Sequence, residues 1–491
     1  MNMGSIITQK RRSCDRCFRH KQKCRYEVEG EICTACSTSQ AICSTLRPRI
    51  RQGRRPNVQR LGLKKHVHIW ETNTTTTKPS NQRRQMVEHN VSEFVCPVAA
   101  SGHPTSFLIH DPDMDSPFES SPDIIIRFSK DYSVFMSTPR FAPSFRTALQ
   151  KSYACAPILL RDIFRVVFVS ISPYFKNSTM STTTMLLNDQ SNIMLRTVSL
   201  QKLRTAKVLS IQHAFAIVAL GQTLAAYELM TNCVGSMLIL RYSLNCAKWC
   251  YGEMAMDHTM DPIVIAPVLW DTVQCVVKGE IPIVRFIKRA KDEVVVDKMV
   301  GICTGLLGTL YDLCVLSQRA KELQRCGSDI STACIKQMEQ KINCWVPHIP
   351  SDLTSTFSHL ETIGMEIQAS MYQKASLLKA HRVCSPIGTE DSIAISLAQQ
   401  ILLEFSRYST LVDVENGAKM PYVVLPILLA ALEISDVSRE IWDSMALLSL
   451  APVCAGKIAD FVEFVWERRR HGFAGYMWEL VDEGPDFIVV P

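Results

Sequence analysis

Six cysteines lie within the first 46 residues, in two blocks that share the spacing C-x2-C-x6-C. They are Cys14, Cys17, Cys24, Cys33, Cys36 and Cys43. A two-residue gap lets both thiolates reach one tetrahedral ion from a tight turn, and a third ligand six residues on suits the far end of a short helix. Because two separate tetrahedral ions need about eight ligands, a closed site of two ions requires two bridging cysteines.

Other uses of these cysteines fit the sequence less well than zinc does. The chain begins MNMGSIITQKRR, which contains no apolar run long enough for a secretory signal. Nineteen cysteines without such a signal indicate a reducing compartment, and this disfavours a module of three disulfides. An iron–sulfur cluster takes about four cysteines, fewer than the six present. Zinc is therefore the expected metal.

The same end of the chain is strongly basic. Residues 1–70 carry sixteen Lys and Arg against four acids, a balance of +12, whereas the whole chain is +7, so residues 71–491 carry −5. A local excess of this kind usually faces a polyanion, although a solvated basic tail is the alternative. A short helix from Cys17 to Lys23 would point several cations outward together, toward phosphates or base edges.

The cysteine spacing and the basic residues together resemble the fungal binuclear zinc cluster, the Zn2Cys6 family of DNA-binding regulators, over residues 10–46. The resemblance implies two short helices around two zinc ions, with Cys14 and Cys33 bridging the metals. One zinc would take Cys14, Cys17, Cys24 and Cys33, and the other Cys33, Cys36, Cys43 and Cys14. The domain is expected to span residues 1–46, with its core at 14–43.

The resemblance also assigns DNA contacts, through the family motif C-R-x-R-K-x-K-C. Lys21 matches the lysine that reaches the guanines of a CGG triplet in the major groove, as a lysine donor to guanine O6 and N7 would. Phe18 and His20 depart from the family pattern, since arginines are common at both positions. The candidate DNA-binding residues are Lys21, Lys23, Arg19, His20, Lys10, Arg11, Arg12 and Arg16.

Residues 47–125 have the composition of a largely disordered linker. The stretch is first basic (RPRIRQGRRPNVQRLGLKK), then threonine-rich, then rich in Ser, Pro and Asp (HDPDMDSPFESSPD). The basic part suits DNA-backbone contact or nuclear import. The acidic part suits an activation segment, a phosphorylation site or a plain linker. Three consecutive heptads are absent, so the coiled coil by which family members often dimerise is not predicted here.

Residues 126–491 are predicted to form a large all-α domain, because long segments show helical apolar periodicity. The most apolar candidate for a membrane span, HAFAIVALGQTLAAYELM, is interrupted by Gln222 and Glu228 and is predicted to be a buried helix. Three stretches resemble the fungal-specific transcription factor domain: LWDTVQCVVKGEIPIVRF, GICTGLLGTLYDLCVLSQ and YVVLPILLAALEISDVSREIW. That resemblance implies a regulatory domain used for self-association, cofactor contacts and sometimes small-molecule sensing.

The helical region shows no catalytic signature: it lacks a Gly-rich phosphate loop, G-x-S-x-G and H-E-x-x-H. Its scattered cysteines, including the i, i+4 pair Cys246 and Cys250, are expected to be core thiols. The terminal stretch WELVDEGPDFIVVP suits either coactivator recruitment or a docked helix and tail.

These features predict a nuclear, zinc-dependent, sequence-specific regulator of RNA polymerase II transcription that is not an enzyme. The expected partners are double-stranded DNA, a second copy of the chain, and coactivators or corepressors, with no membrane. The expected targets are a metabolic or secondary-metabolite gene set. The rival hypothesis is a helical ligand-binding or enzymatic domain tethered to nucleic acid by a zinc module. RNA binding is disfavoured because no aromatic stacking platform accompanies the basic residues.

Overall fold

The computed structural model describes residues 14, 17, 33–39, 135–175, 182–287, 296–328, 330–414, 422–435, 437, 440–443, 445 and 447–491. The chain divides into two compact units, Met1–Ser106 and Phe107–Pro491. The linker predicted over 47–125 lies outside the described residues.

In the first unit, one of the two expected short helices is described. Helix α1, Thr34–Thr38, begins after Cys33, whose extended backbone (φ −65°, ψ 150°) occupies the N-cap position. The amides of Cys36 and Ser37 donate to the Cys33 carbonyl, both at 2.9 Å, and form the first turn. The other expected helix, Cys17 to Lys23, is described only at Cys17, which is helical.

The second unit is mostly helical in its described part, as predicted. Its helices are α2 Ala142–Cys155, α3 Pro157–Phe175, α4 Thr182–Thr205, α5 Ile211–Thr231, α6 Ser236–Ala247, α7 Tyr251–Met254, α8 Asp261–Lys278, α9 Thr304–Arg325, α10 Thr332–Asn343, α11 Leu353–Thr356, α12 His359–Cys384, α13 Asp391–Val414, α14 Val424–Ala431, α15 Glu440–Asp443, α16 Pro452–Arg470 and α17 Met477–Glu483. The β pairing within the described ranges is one isolated bridge, Asp297–Gly301.

Local sequence signals explain several helix ends. Ser358 and Glu361 form a capping box at the start of α12, each side chain bonded to the other residue's backbone N–H. Ser210 caps α5 by accepting from the amide of His213. Pro157 begins α3, where its missing N–H costs no helical bond, and it thereby separates α3 from α2, which ends at Cys155.

Helix α5 lies at the centre of the first half of this unit, packing on α2, α3, α4, α6, α8 and α16. Its closest approach is to α6 at Gly221, where an added Cβ would lie 2.2 Å from both Cβ and Oγ of Ser243. In the second half, α12 packs on α9, α10, α13 and α14. One large cluster of buried apolar side chains runs through both halves, from Met136 to Val490.

Two of the core helices are long and apolar enough to span a membrane by length and composition alone. The corresponding segments are Ile211–Thr231 and His258–Lys278, and their most apolar windows are 78% and 94% buried inside the fold. Burial on all sides is what a helix at the centre of a large hydrophobic core shows. The structure thus agrees with the prediction that the first of them is a buried helix.

The terminal stretch is docked rather than free. The Phe487 ring stacks on Phe461 with the ring centroids 3.9 Å apart, and the Lys278 ammonium lies 4.1 Å from the Phe487 centroid. The amide of Val489 donates to Oε1 of Gln274 at 2.6 Å. Of the two alternatives for this stretch, the structure places the segment after α17 in the hydrophobic core.

Candidate metal centre

The structure describes four of the six N-terminal cysteines, and the sulfur atoms of these four lie close together. Sγ atoms of Cys14, Cys17, Cys33 and Cys36 all lie within 4.8 Å of one another, and all four residues are fully buried. The Sγ of Cys14 is 3.7 Å from that of Cys33 and 3.6 Å from that of Cys36. The Sγ of Cys33 is also 3.6 Å from that of Cys17.

These separations match ligands around a tetrahedral metal. Zinc–thiolate bonds are about 2.3 Å long, which places two sulfurs on one tetrahedral ion about 3.8 Å apart. A disulfide would bring the sulfurs to about 2.05 Å, and the four cysteines are free thiols. Four cysteine thiolates are also a donor set that zinc prefers. The arrangement therefore suits a metal and does not suit the disulfide alternative.

Local backbone structure brings each pair of sulfurs to the same side. The amide of Cys17 donates to Sγ of Cys14 at 3.4 Å, which closes the first C-x2-C turn around a sulfur. In the second pair, Cys33 caps α1 and Cys36 lies in its first turn. A C-x2-C spacing that includes a helix start puts both side chains on one face, one turn apart.

Among the four described cysteines, Cys14 and Cys33 each have close contacts with two other sulfurs of the group. Each of them lies within 3.7 Å of the other and of one further cysteine, Cys36 for Cys14 and Cys17 for Cys33. In a cluster of two ions, a bridging sulfur lies close to the other sulfur ligands of both ions, whereas a terminal sulfur lies close to those of one ion. The same four sulfurs also suit a single tetrahedral ion, because the spacing C-x2-C-x15-C-x2-C is that of a four-cysteine zinc site.

The other predicted site residues lie outside the described residues. They are Cys24, Cys43, Lys10, Arg11, Arg12, Arg16, Arg19, His20, Lys21 and Lys23. Their roles as zinc ligands and DNA contacts remain predictions from the sequence.

Within the described ranges, no second group of side chains has the geometry of a metal site. Cys250 is buried, Cys246 is half-buried, and burial raises the pKa of both thiols. Burial also raises the pKa of the Cys275, Cys303 and Cys314 thiols. A raised pKa keeps a thiol protonated and poorly reactive, which agrees with the interpretation of these residues as core thiols. The prediction is wrong for four other cysteines of the helical region, which are exposed: Cys155, Cys326, Cys334 and Cys344.

A buried ion-pair network that the sequence did not single out joins four segments of the helical unit. The guanidinium of Arg382, on α12, donates to both carboxylate oxygens of Glu433, at 2.8 and 2.7 Å. Arg382 also contacts Asp391 at 2.6 Å, and Arg469 on α16 contacts Glu433 at 3.0 Å. Side chains of Arg382 and Glu433 are only 3% and 1% exposed, so this network belongs to the scaffold and not to a surface.

Residues 273–489 match a known family. The matching family model is described as the Fungal specific transcription factor domain. The match includes two of the three stretches that resemble this domain and most of the first, and it lies wholly within the second unit. The match supports a fungal transcription factor, and therefore a regulator of transcription.

No curated protein matches this chain, and no solved structure matches it. The N-terminal cysteines lie outside the matched residues, so the metal centre is inferred from the geometry of the four sulfurs.

Proposed function

We propose that the chain is a nuclear, zinc-dependent regulator of RNA polymerase II transcription that binds DNA in a sequence-specific manner. The observation that carries the proposal is the pairing of two features in one chain. One is the match of residues 273–489 to a fungal transcription factor domain, and the other is the group of four buried sulfurs at Cys14, Cys17, Cys33 and Cys36. The +12 balance of residues 1–70 supports DNA as the partner.

In the proposed centre, six cysteines hold two zinc ions, with Cys14 and Cys33 shared. Zinc bound here serves a structural purpose, because ligation supplies the folding free energy that so small a fragment cannot obtain from a core. DNA is then recognised by the basic side chains around the cysteines. Lys21 reads guanine edges of a CGG-type half-site, while Lys23, Arg19 and the basic run at 10–12 contact phosphates, with His20 and Arg16 beside them.

The helical unit is proposed to handle self-association and contacts with coactivators or corepressors. We expect the controlled genes to belong to a metabolic or secondary-metabolite set. Genome-wide occupancy of the tagged chain, compared with a Lys21→Ala chain, tests this: loss of occupancy at such genes supports it, and unchanged occupancy contradicts it.

Zinc stoichiometry separates the two-ion centre from a one-ion site. Purified full chain should contain two zinc ions by mass spectrometry of the released metal, because six thiolates with two bridges satisfy two tetrahedra. Cys24→Ser should reduce zinc content, whereas the matched control Cys326→Ser, an exposed cysteine of the helical unit, should leave it unchanged. One zinc per chain that survives Cys24→Ser would instead indicate a site of Cys14, Cys17, Cys33 and Cys36 alone.

DNA recognition is tested by selection from random duplexes with the full chain, with and without a zinc chelator. The expected product is a CGG-containing half-site that disappears on chelation. Lys21→Ala should relax the triplet preference by about 1–3 kcal/mol, while Lys10→Ala should weaken binding to all sequences and reduce the salt dependence. Random selected sequences, or selection indifferent to chelation, would refute the proposal.

A further inference from the structure

Charge is unevenly distributed along the helical unit. Residues 135–249 carry twelve Lys and Arg against three acids, a balance of +9, whereas residues 250–491 carry twenty-one against thirty-one, a balance of −10. Of the three acids in the first part, the two whose side chains the structure describes, Asp162 and Glu228, are buried. A strong asymmetry of charge between two parts of a chain is typical of contact with nucleic acid or with a membrane surface.

Four of the cations in the first part lie where the end of α4 packs on the start of α3. The ammonium of Lys202 donates to Oδ2 of Asp162 at 2.6 Å, and Nε of Arg161 donates to Oδ1 of the same carboxylate at 3.3 Å. Arg204, in the last turn of α4, and Lys207, just beyond it, are both exposed. We call these four cations the basic junction. Since one carboxylate compensates four cations, the net charge of this group is +3.

The two outer cations of the basic junction have no carboxylate partner. Arg204 and Lys207 form no ion pair among the residues that the structure describes. By contrast, partly exposed arginines of residues 250–491 are paired with carboxylates: Arg285 with Asp312, Arg325 with Asp482, and Arg468 with Glu483. A cation without a partner is available to a phosphate, whereas a paired cation must first leave its carboxylate.

We propose that the basic junction is a second DNA contact of this chain, which binds phosphates of the duplex beside the site read by the N-terminal unit. The inference rests on the proposed function, because DNA bound by the N-terminal unit is tethered to the helical unit of the same chain. The second contact is then intramolecular, so a modest attraction adds to the affinity through the effective concentration. Arg and Lys contacts to phosphates carry no sequence information, so the triplet preference is left to the N-terminal unit.

The chain between the two contacts is long enough for both to lie on one duplex. Residues 44–134 connect the last N-terminal cysteine to the described part of the helical unit. Their contour length is about 300 Å, which far exceeds a turn of DNA at about 34 Å.

The test measures the affinity of the purified full chain for two duplexes over a range of salt concentrations. Both duplexes contain the half-site selected by the chain, and the longer one extends two further turns of DNA on each side. The wild type should bind the longer duplex at least tenfold more tightly at low salt. Its affinity for that duplex should also fall more steeply with salt, because each phosphate contact adds about 0.9 to the slope of log K against log salt.

The variant that tests the site combines Arg161→Gln, Arg204→Gln and Lys207→Gln. Lys202 is retained because its ammonium holds the buried Asp162. On the longer duplex the variant should lose about 2–3 units of slope and most of the gain in affinity. On the short duplex it should bind as the wild type does and keep the triplet preference. Lys207→Gln alone, which lies outside any helix, should lose about 0.9 of the slope.

A matched control removes three exposed cations from the acidic part of the unit. The control combines Arg319→Gln, Lys336→Gln and Arg407→Gln, and it should bind both duplexes as the wild type does. It changes the net charge of the chain by the same amount as the test variant. A difference between the two variants therefore reports the position of the cations and not their number.

Three outcomes would overturn the proposal: no gain by the wild type on the longer duplex, an undiminished gain in the basic-junction variant, or an equal loss in the control. Each of them leaves binding of the short duplex intact, so the proposed function would stand. Failure of the wild type to bind the short duplex would refute the proposed function and this inference with it.

Discussion

Replacing Glu433 by glutamine should destabilise the helical unit more than any other conservative change of a charged residue there. The carboxylate is 1% exposed and accepts from two arginines through contacts of 2.7, 2.8 and 3.0 Å. Glutamine keeps the shape but removes the charge, and its amide turns a donor toward a guanidinium. Of the carboxylates in the described structure, Asp391 would then remain to compensate Arg382 and Arg469.

The size of the effect follows from that burial. Breaking a buried ion pair by removing one partner costs about 3–5 kcal/mol, because the remaining charge stays desolvated. Asp391 still neutralises part of the charge on both arginines, so we expect about 3 kcal/mol, near the lower end. A domain is stable by only about 5–15 kcal/mol, so this loss is a large share of the total.

Urea denaturation followed by tryptophan fluorescence measures the loss. Trp466 is a local reporter, because the Arg469 guanidinium lies 4.5 Å from its ring centroid. The matched control is Glu483→Gln: Glu483 also pairs with an arginine, Arg468 at 2.9 Å, but both side chains are about half exposed (45% and 53%). Exposed pairs contribute about 1 kcal/mol or less, so this variant should unfold almost as the wild type does. Equal losses in the two variants would refute the reasoning.

Three further changes can be measured by the same denaturation experiment. Gly221→Ala should cost about 1–3 kcal/mol by overpacking against Ser243, whereas Gly456→Ala, with open space around its Cβ, should be neutral or gain about 1 kcal/mol; destabilisation by both would contradict this. Burial lowers the pKa of Lys379 from 10.5 to about 8, so the unfolded chain binds more protons than the folded chain between these pH values, and the free energy of unfolding should rise with pH across that window. Lys379→Met should remove this pH dependence and add about 3 kcal/mol to the free energy of unfolding at pH 7. An unchanged pH dependence would contradict this. Phe487→Ala should cost about 3–5 kcal/mol because it removes the ring stacked on Phe461, and a loss below 1 kcal/mol would show that the terminal segment is not part of the core.

Local patterns in the sequence predicted the character of each part of the chain. Two C-x2-C-x6-C blocks among basic residues predicted a metal centre facing a polyanion, and the structure brings the four described cysteines of these blocks together. Apolar periodicity predicted the helical unit, and the S-x-x-E signal at Ser358 coincides with the start of α12. Such features can be recognised in the sequence because ligand spacing, helix caps and amphipathic faces depend on residues only a few positions apart.

Contacts between distant segments were not predictable in this way. The sequence showed Gln222 only as a polar interruption of an apolar run, and Trp270 only as part of a helix. The structure places both residues in the lining of one cavity, together with Val490, more than two hundred residues after Gln222. The Arg382–Glu433 pair likewise joins side chains 51 residues apart. Which helices meet, and at what angle, is decided by the packing of whole apolar faces against one another, and no local pattern encodes that choice.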